Sequence, residues 1–187
     1  DPFATGVMVI LVGQATRLAQ FLDKDSKEYE ATIRFGFETD TGDATGKMRN
    51  AESGLRSDEI SSLLIGTDWD STLDSFRGEI EQTPPMYSAK KIEGKKLYEL
   101  ARKGETVERK PVAVTIYELA MSEPPAVTGG LSDELDTVSI RVRCSSGTYI
   151  RTLAEDIGKE LDTGAHLTEL RRTSAGKFSI DQSISLE

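Results

Sequence analysis

Apolar and polar positions alternate along residues 28–37, with Tyr29, Ala31, Ile33 and Phe35 on one side and Glu30, Thr32 and Arg34 on the other. A period of two over this length predicts a half-buried strand. Residues 112–119, 137–142 and the final region 167–180 are likewise predicted as strands, and the apolar run 7–12 as a buried strand. Helical spacing of Leu18, Phe21 and Leu22 predicts a helix over 15–22. Residues 57–76 predict two short helices around a break at 66–70, with Trp69 as a core anchor. A helix over 95–103 is closed by Gly104 at its C-terminal cap. A helix over 147–161 carries Ile150, Leu153, Ala154 and Ile157 on its apolar face. Residues 39–46 are turn-rich, and the diproline stretch 83–88 can only form a rigid loop. Residues 122–134 are acidic, poor in core residues and predicted as a variable loop. No internal repeat is present. Strands interleaved with few helices predict an α+β fold: a mixed, largely antiparallel sheet with flanking helices.

Composition narrows the function classes. A chain of 187 residues makes one domain or a little more and buries about 70% of its unfolded surface. No apolar run approaches the ~20 residues of a membrane span. One Cys and one His exclude an internal disulfide, a Cys-based zinc site and a His-rich metal site, and they suit a reducing, cytoplasmic setting. The net charge of −9 argues against broad phosphate-driven nucleic-acid binding, but fields are local. Residues 90–110 carry Lys90, Lys91, Lys95, Lys96, Arg102, Lys103, Arg109 and Lys110 against only Glu93, Glu99, Glu105 and Glu108. Arg141, Arg143, Arg151, Arg171, Arg172 and Lys177 form a second basic set. Such runs are usually solvated faces; two in an acidic chain keep RNA open as a partner.

Several stretches could carry chemistry. Asp1-Pro2-Phe3-Ala4-Thr5-Gly6 holds an acid at the lip of the first strand, with Pro2 fixing φ and Gly6 relieving the bend; turn punctuation explains the same string. In Cys144–Leu153 a small-residue loop meets a helix start, where Tyr149 and Arg151 project and an anion is favoured; the plain alternative is a capped helix whose Arg meets a surface acid. Tyr29 faces inward on its strand, where a Tyr is usually part of the core. Asp40 and Asp43 fit turn chemistry or an active-site edge. His166 alone reads as a core or capping histidine.

Taken in order, these stretches resemble the TruB-type pseudouridine synthases. D-P-F-A-T-G at 1–6 is similar to the end of the family's G-T-L-D-P-x-A-T-G. K-E-Y at 27–29 is similar to K-x-Y, and T-D-T-G-D at 39–43 to T-D-T-x-D. Residues 82–90 resemble the family's diproline motif, 145–151 its S-x-G-T-Y-I-R, and 164–173 its G-x-H-x-x-x-L-R-R-x. The resemblance covers essentially the whole chain. It implies isomerisation of a uridine in the T-loop of tRNA (position 55) to pseudouridine, without cofactor or metal. By the same resemblance Asp1 is the nucleophile, attacking C1′ or C6. Tyr29 stacks on the base and serves as base or proton relay. Arg151 forms an ion pair with Asp1 and keeps it ionised. Leu170 and Tyr149 shape the uracil pocket. Asp43 orients Tyr29 or the ribose, Tyr87 and Lys90 contact RNA, and Arg171 and Arg172 take phosphates or structural acids.

The sequence begins on the residue that resembles the nucleophile. The family's G-T-L lead-in, a Lys-Pro-containing motif and an upstream His have no counterpart, and Glu187 falls where many members continue into a small RNA-binding domain. Residues 1–187 are therefore expected to be one catalytic domain, inactive or much weakened if the chain truly starts at Asp1, because a terminal ammonium would compete with Arg151 and a strand edge would be unpaired. A monomer without obligatory protein partners and without membrane contact is expected. Two alternatives remain: a tRNA-binding or tRNA-folding module without turnover, and a guide-dependent relative that modifies rRNA.

Overall fold

A seven-stranded sheet organises the computed structural model, which describes residues 2–22, 24–49, 55–92, 94–122 and 136–185. Strand β1 (Thr5–Gly6) leads to a 3-10 stretch (Gly13–Leu18) and α1 (Ala19–Leu22). Next come β2 (Lys27–Phe35) and the hairpin of β3 (Glu38–Thr39) and β4 (Met48–Arg49). Helices α2 (Ser57–Gly66) and α3 (Trp69–Asp74) precede β5 (Gly78–Gln82). A small hairpin, β6 (Lys91–Ile92) and β7 (Lys95–Lys96), opens α4 (Leu97–Ala101). Strands β8 (Val112–Met121) and β9 (Thr137–Cys144), helix α5 (Ile150–Glu160), then β10 (Ala165–Ala175) and β11 (Phe178–Ser179) follow.

The sheet order is β1-β10-β2-β9-β8-β5, with β11 paired to β10. All these pairings are antiparallel except that of β1 with β10, so the α+β expectation holds. Strand β10 comes late in the chain yet lies between β1 and β2, which brings residues 165–175 against the N-terminal segment.

One apolar layer fixes this arrangement. The alternation in β2 buries Ala31, Ile33 and Phe35, and that in β9 buries Val138, Ile140 and Val142. Helix α5 covers them with Ile150, Leu153, Ala154 and Ile157, the residues its spacing predicts. Each of the Val, Leu, Ile and Phe side chains among them contributes roughly 1.5–3 kcal/mol. Gly158 packs so closely on β10 that an added Cβ would lie 2.5 Å from the Ala165 amide nitrogen. Trp69 meets Phe35 with ring centroids 5.9 Å apart and donates its indole N–H to the Leu64 carbonyl.

Residues 7–12 depart from the expected buried strand. Only Thr5 and Gly6 pair with the sheet; Val7 is buried, while Met8, Ile10 and Val12 are 66%, 59% and 77% exposed. The chain leaves β10 after Val7 bonds Arg172, and no described strand flanks it further on. An apolar run signals burial only where the fold supplies a cover. Edge strand β5, which the alternation reading passed over, has only Gln82 buried. The helices foreseen over 95–103 and 147–161 are shorter, and Gly147 turns with φ of +85° ahead of α5. The predicted loop 122–134 lies outside the described residues from 123 onward.

Candidate active site

Strand register decides what meets here. Tyr29 is directly opposite Arg172, and Ala31 is opposite Leu170. Opposed residues share a sheet face, so Tyr29, Leu170 and Arg172 point the same way. With the loop after β3, the diproline loop and the start of α5, they enclose a cavity of about 940 Å³. Tyr29, Asp43, Tyr87, Tyr149, Arg151 and Leu170 all line it, and the segment Pro2 to Met8 forms one rim.

Arg151 is the electrostatic centre of the described wall. Its guanidinium donates to the Thr41 carbonyl (3.0 Å), to Asp43 Oδ2 (3.2 Å) and to the Tyr87 carbonyl (3.0 Å). The Arg151 and Asp43 side chains are 12% and 3% exposed. The second carboxylate oxygen of Asp43 accepts from Thr41 Oγ1 (2.9 Å), Thr45 N (3.0 Å) and Thr45 Oγ1 (2.6 Å). Asp43 thus stands behind Arg151 and fixes both the loop and the arginine. The loop is tied to the sheet where Leu167 N donates to the Gly42 carbonyl at 3.0 Å. Gly42 holds φ of +74°, and a Cβ there would come within 2.8 Å of Glu155 Oε1.

Tyr149 is set by Gln82, a fully buried side chain at the end of β5. Tyr149 N donates to Gln82 Oε1 (3.0 Å), and Gln82 Nε2 donates to the Tyr149 carbonyl (3.3 Å). One amide thereby supplies the cap that the start of α5 otherwise lacks. His166 is buried against Phe37, with ring centroids 4.5 Å apart, and its Nδ1–H donates to the Phe37 carbonyl at 3.0 Å. It is a structural histidine, as its sequence context suggested.

Burial dominates the protonation states. It raises the Tyr29 phenol above its ordinary value; Cys144 adds to the rise, and the charge and hydrogen bonding of Arg172 oppose it. Burial pushes the Cys144 thiol to about 11 and the Glu155 carboxyl to about 7. His166 is lowered, again chiefly by burial.

Two residues expected at the site lie elsewhere. Lys90 is half-buried at the foot of the β6–β7 hairpin, off the cavity wall. Arg171 sits on the reverse sheet face, exposed beside a second, polar cleft of about 640 Å³ that Arg141 and Glu30 also line. Alternation in β10 sends Arg171 away and turns Arg172 inward. Asp1, and with it any contact between Asp1 and Arg151, lies outside the described residues. The sequence reading had not assigned Tyr98, Arg102 or Gln82 to this site, and it gave Arg172, with Arg171, only to phosphates or structural acids. Parity from Leu170 would have found Arg172. Tyr98 and Arg102 reach the wall from α4, and only tertiary placement reveals them.

The fold is shared with a solved structure titled as a Cbf5–Nop10–Gar1 complex, at a TM-score of 0.58 and 28% identity, over 96% of this chain and 39% of that one. The sequence narrows the class to pseudouridylate synthases: the family model described as "TruB family pseudouridylate synthase (N terminal domain)" matches residues 1–150, and that described as "tRNA pseudouridylate synthase B C-terminal domain" matches 151–187. The chain belongs to the TruB family. Curated relatives named tRNA pseudouridine synthase B include that of Francisella tularensis subsp. novicida, 46% identical over all 187 residues, and that of Saccharophagus degradans, 47% identical. The chain spans 57% and 56% of the lengths of those two relatives. The division at residue 150 falls in the first turn of α5, and β10 from the second part lies inside the sheet built by the first.

Proposed function

We propose that the chain is the catalytic part of a tRNA pseudouridine synthase that isomerises a uridine in the T-loop, position 55, with Asp1 as nucleophile. The observation that carries this reading is the single cavity in which β2 and β10 set Tyr29, Leu170 and Arg172 on one face, opposite the Arg151 wall. A uracil swung out of the RNA fits against the Tyr29 ring and Leu170. Flipping costs a few kcal/mol, least in a single-stranded loop.

In the reaction the C1′–N1 bond breaks and a C1′–C5 bond forms. C5 loses a proton and N1 gains one, so atoms and electrons balance without a donor. Asp1 attacks C1′ or C6. Arg151, anchored through three oxygen acceptors, holds Asp1 ionised by its positive charge. Asp43 is a positioning residue behind it. Tyr29 stacks on the base and relays the C5 proton; because burial favours its neutral phenol, the relay needs a neighbour that stabilises the phenolate. Tyr87 and Tyr149 shape the pocket. The β6–β7 hairpin and α4, with Lys90, Lys91, Lys95, Lys96 and Arg102, offer RNA phosphates a basic arm on a chain of net charge −9.

The test is incubation of the intact-length protein, wild type and Asp1→Asn, with an unmodified tRNA transcript, mapping pseudouridine by position. Modification at one T-loop uridine, abolished by the substitution, is expected. Retained tRNA binding without modification would overturn the catalytic reading. A dependence on added guide RNA would favour the guide-dependent alternative.

A further inference from the structure

Arg172, on the cavity face of β10, meets both neighbouring strands where the chemistry is proposed to happen. In the sheet it is the register partner of Gly6 in β1 and of Tyr29 in β2. Its carbonyl accepts from Val7 N at 2.8 Å. Its side chain turns back on the same strand, with Nε donating to the Val7 carbonyl at 2.7 Å. The approach is so close that a Cβ on Gly6, whose φ is +96°, would overlap the Arg172 carbonyl. The guanidinium also acts on the Tyr29 phenol by charge and hydrogen bonding, and it lines the cavity between the two. A residue needed only to hold β1 could do so through its backbone; a half-buried cation beside a phenol on the cavity wall indicates a second task.

We propose that Arg172 is a positioning residue for the isomerisation, one guanidinium holding the acid-bearing β1 segment and the Tyr29 phenol in fixed relation and stabilising negative charge on the phenol oxygen during proton relay. The inference rests on the function proposed above. In that relay the phenol passes its proton to the N1 side of the detached uracil and recovers one from C5, so Tyr29 ends as it began. The electron pair of the C5–H bond returns to the ring. Arg172 neither gains nor loses a proton; it favours the transient phenolate that burial and Cys144 oppose. Its neighbour Arg171 faces the reverse side and has no such role.

The experiment is a double-mutant cycle on the active protein with tRNA transcript: Arg172→Gln, Tyr29→Phe and the pair, measured with uridine carrying hydrogen or deuterium at C5. Expected for Arg172→Gln is a kcat loss of roughly 100-fold, the size typical of proton-transfer assistance. KM should stay within about threefold, and a deuterium effect larger than that of wild type should emerge. In the Tyr29→Phe background the Arg172 substitution should cost little more. Arg172→Lys, which keeps the charge and one donor, should recover part of the rate, and it carries the cycle if the Gln variant does not fold. The inference is overturned if either Arg172 variant is as active as wild type. It is equally overturned if the losses multiply in the double variant with no change in the deuterium effect, the result of a purely structural role. A wild-type protein inactive on tRNA would instead overturn the proposed function itself.

Discussion

Replacing Asp43 probes how the Arg151 wall is built. The carboxylate meets Arg151 at 3.2 Å with one oxygen, and its other oxygen accepts three hydrogen bonds from Thr41 and Thr45. Both partners of the ion pair are nearly enclosed, at 12% and 3% exposure. Asp43→Ala removes every one of these bonds and breaks a nearly enclosed ion pair, which costs up to about 3–5 kcal/mol. Asp43→Asn is gentler. Its amide oxygen can still accept from Thr41 and Thr45, but its amide nitrogen now faces an arginine donor. The expected cost is about 1–3 kcal/mol, that of a charge-assisted hydrogen bond lost in a buried setting. Urea unfolding of Asp43→Asn, Arg151→Gln and the double variant separates the pair from its surroundings. A coupling energy of at least about 1 kcal/mol is expected for residues in one buried network. In the modification assay Asp43→Asn should lower kcat more than it raises KM, because on the proposed mechanism Arg151 is the group that keeps the nucleophile ionised. The reasoning fails if the two single substitutions add within about 0.5 kcal/mol, or if Asp43→Ala unfolds at the wild-type urea midpoint.

Further outcomes follow from the same geometry. Ala at Gly6 costs about 1–2 kcal/mol for its positive φ alone and collides with β10; pseudouridine formation should drop at least about tenfold, and an unchanged rate would show that β1 does not set the acid. Ala at Gly158 forces α5 off β10 and should destabilise by about 1–3 kcal/mol or more, read as a lower urea midpoint; an unshifted midpoint would sink the close-packing argument. The Glu155 carboxyl ionises near 7 when folded against 4.5 ordinarily, mainly because it is buried. Between those values the folded state binds more protons, so stability should fall as pH rises through that window, by up to about 3 kcal/mol. Glu155→Gln should abolish this slope, and an equal slope in the variant would refute the assignment.

How much was legible beforehand differs from element to element. The alternation of β2 and β9 and the apolar face of α5 announced both the strands and the side chains that fill the core, because a period of two or 3.6 is a local property of the chain. The break between α2 and α3, with Trp69 anchored beyond it, was equally local. The motif strings located Tyr29, Asp43, Tyr87, Tyr149, Arg151 and Leu170, and all six line one cavity. Local pattern misled at residues 7–12, where an apolar run lies largely exposed, since whether a strand is covered depends on what packs beside it. Lys90 and Arg171 lie off the cavity wall, a placement not legible beforehand for a related reason: a basic residue in a motif carries no information about which face it occupies.

The sequence by itself determined the class of fold, the segments that form it and the residue types available for chemistry, because these follow from periodicity, turn residues and motif order within short stretches. The tertiary structure alone decided which of them cooperate. Inserting β10 between β1 and β2 sets Arg172 across from both Gly6 and Tyr29. Folding the 39–45 loop under α5 makes Asp43 the support of Arg151. Sending alternate β10 side chains to opposite faces separates Arg171 from Arg172. Such pairings join residues more than a hundred positions apart, and only strand register, a property of the assembled sheet, fixes them.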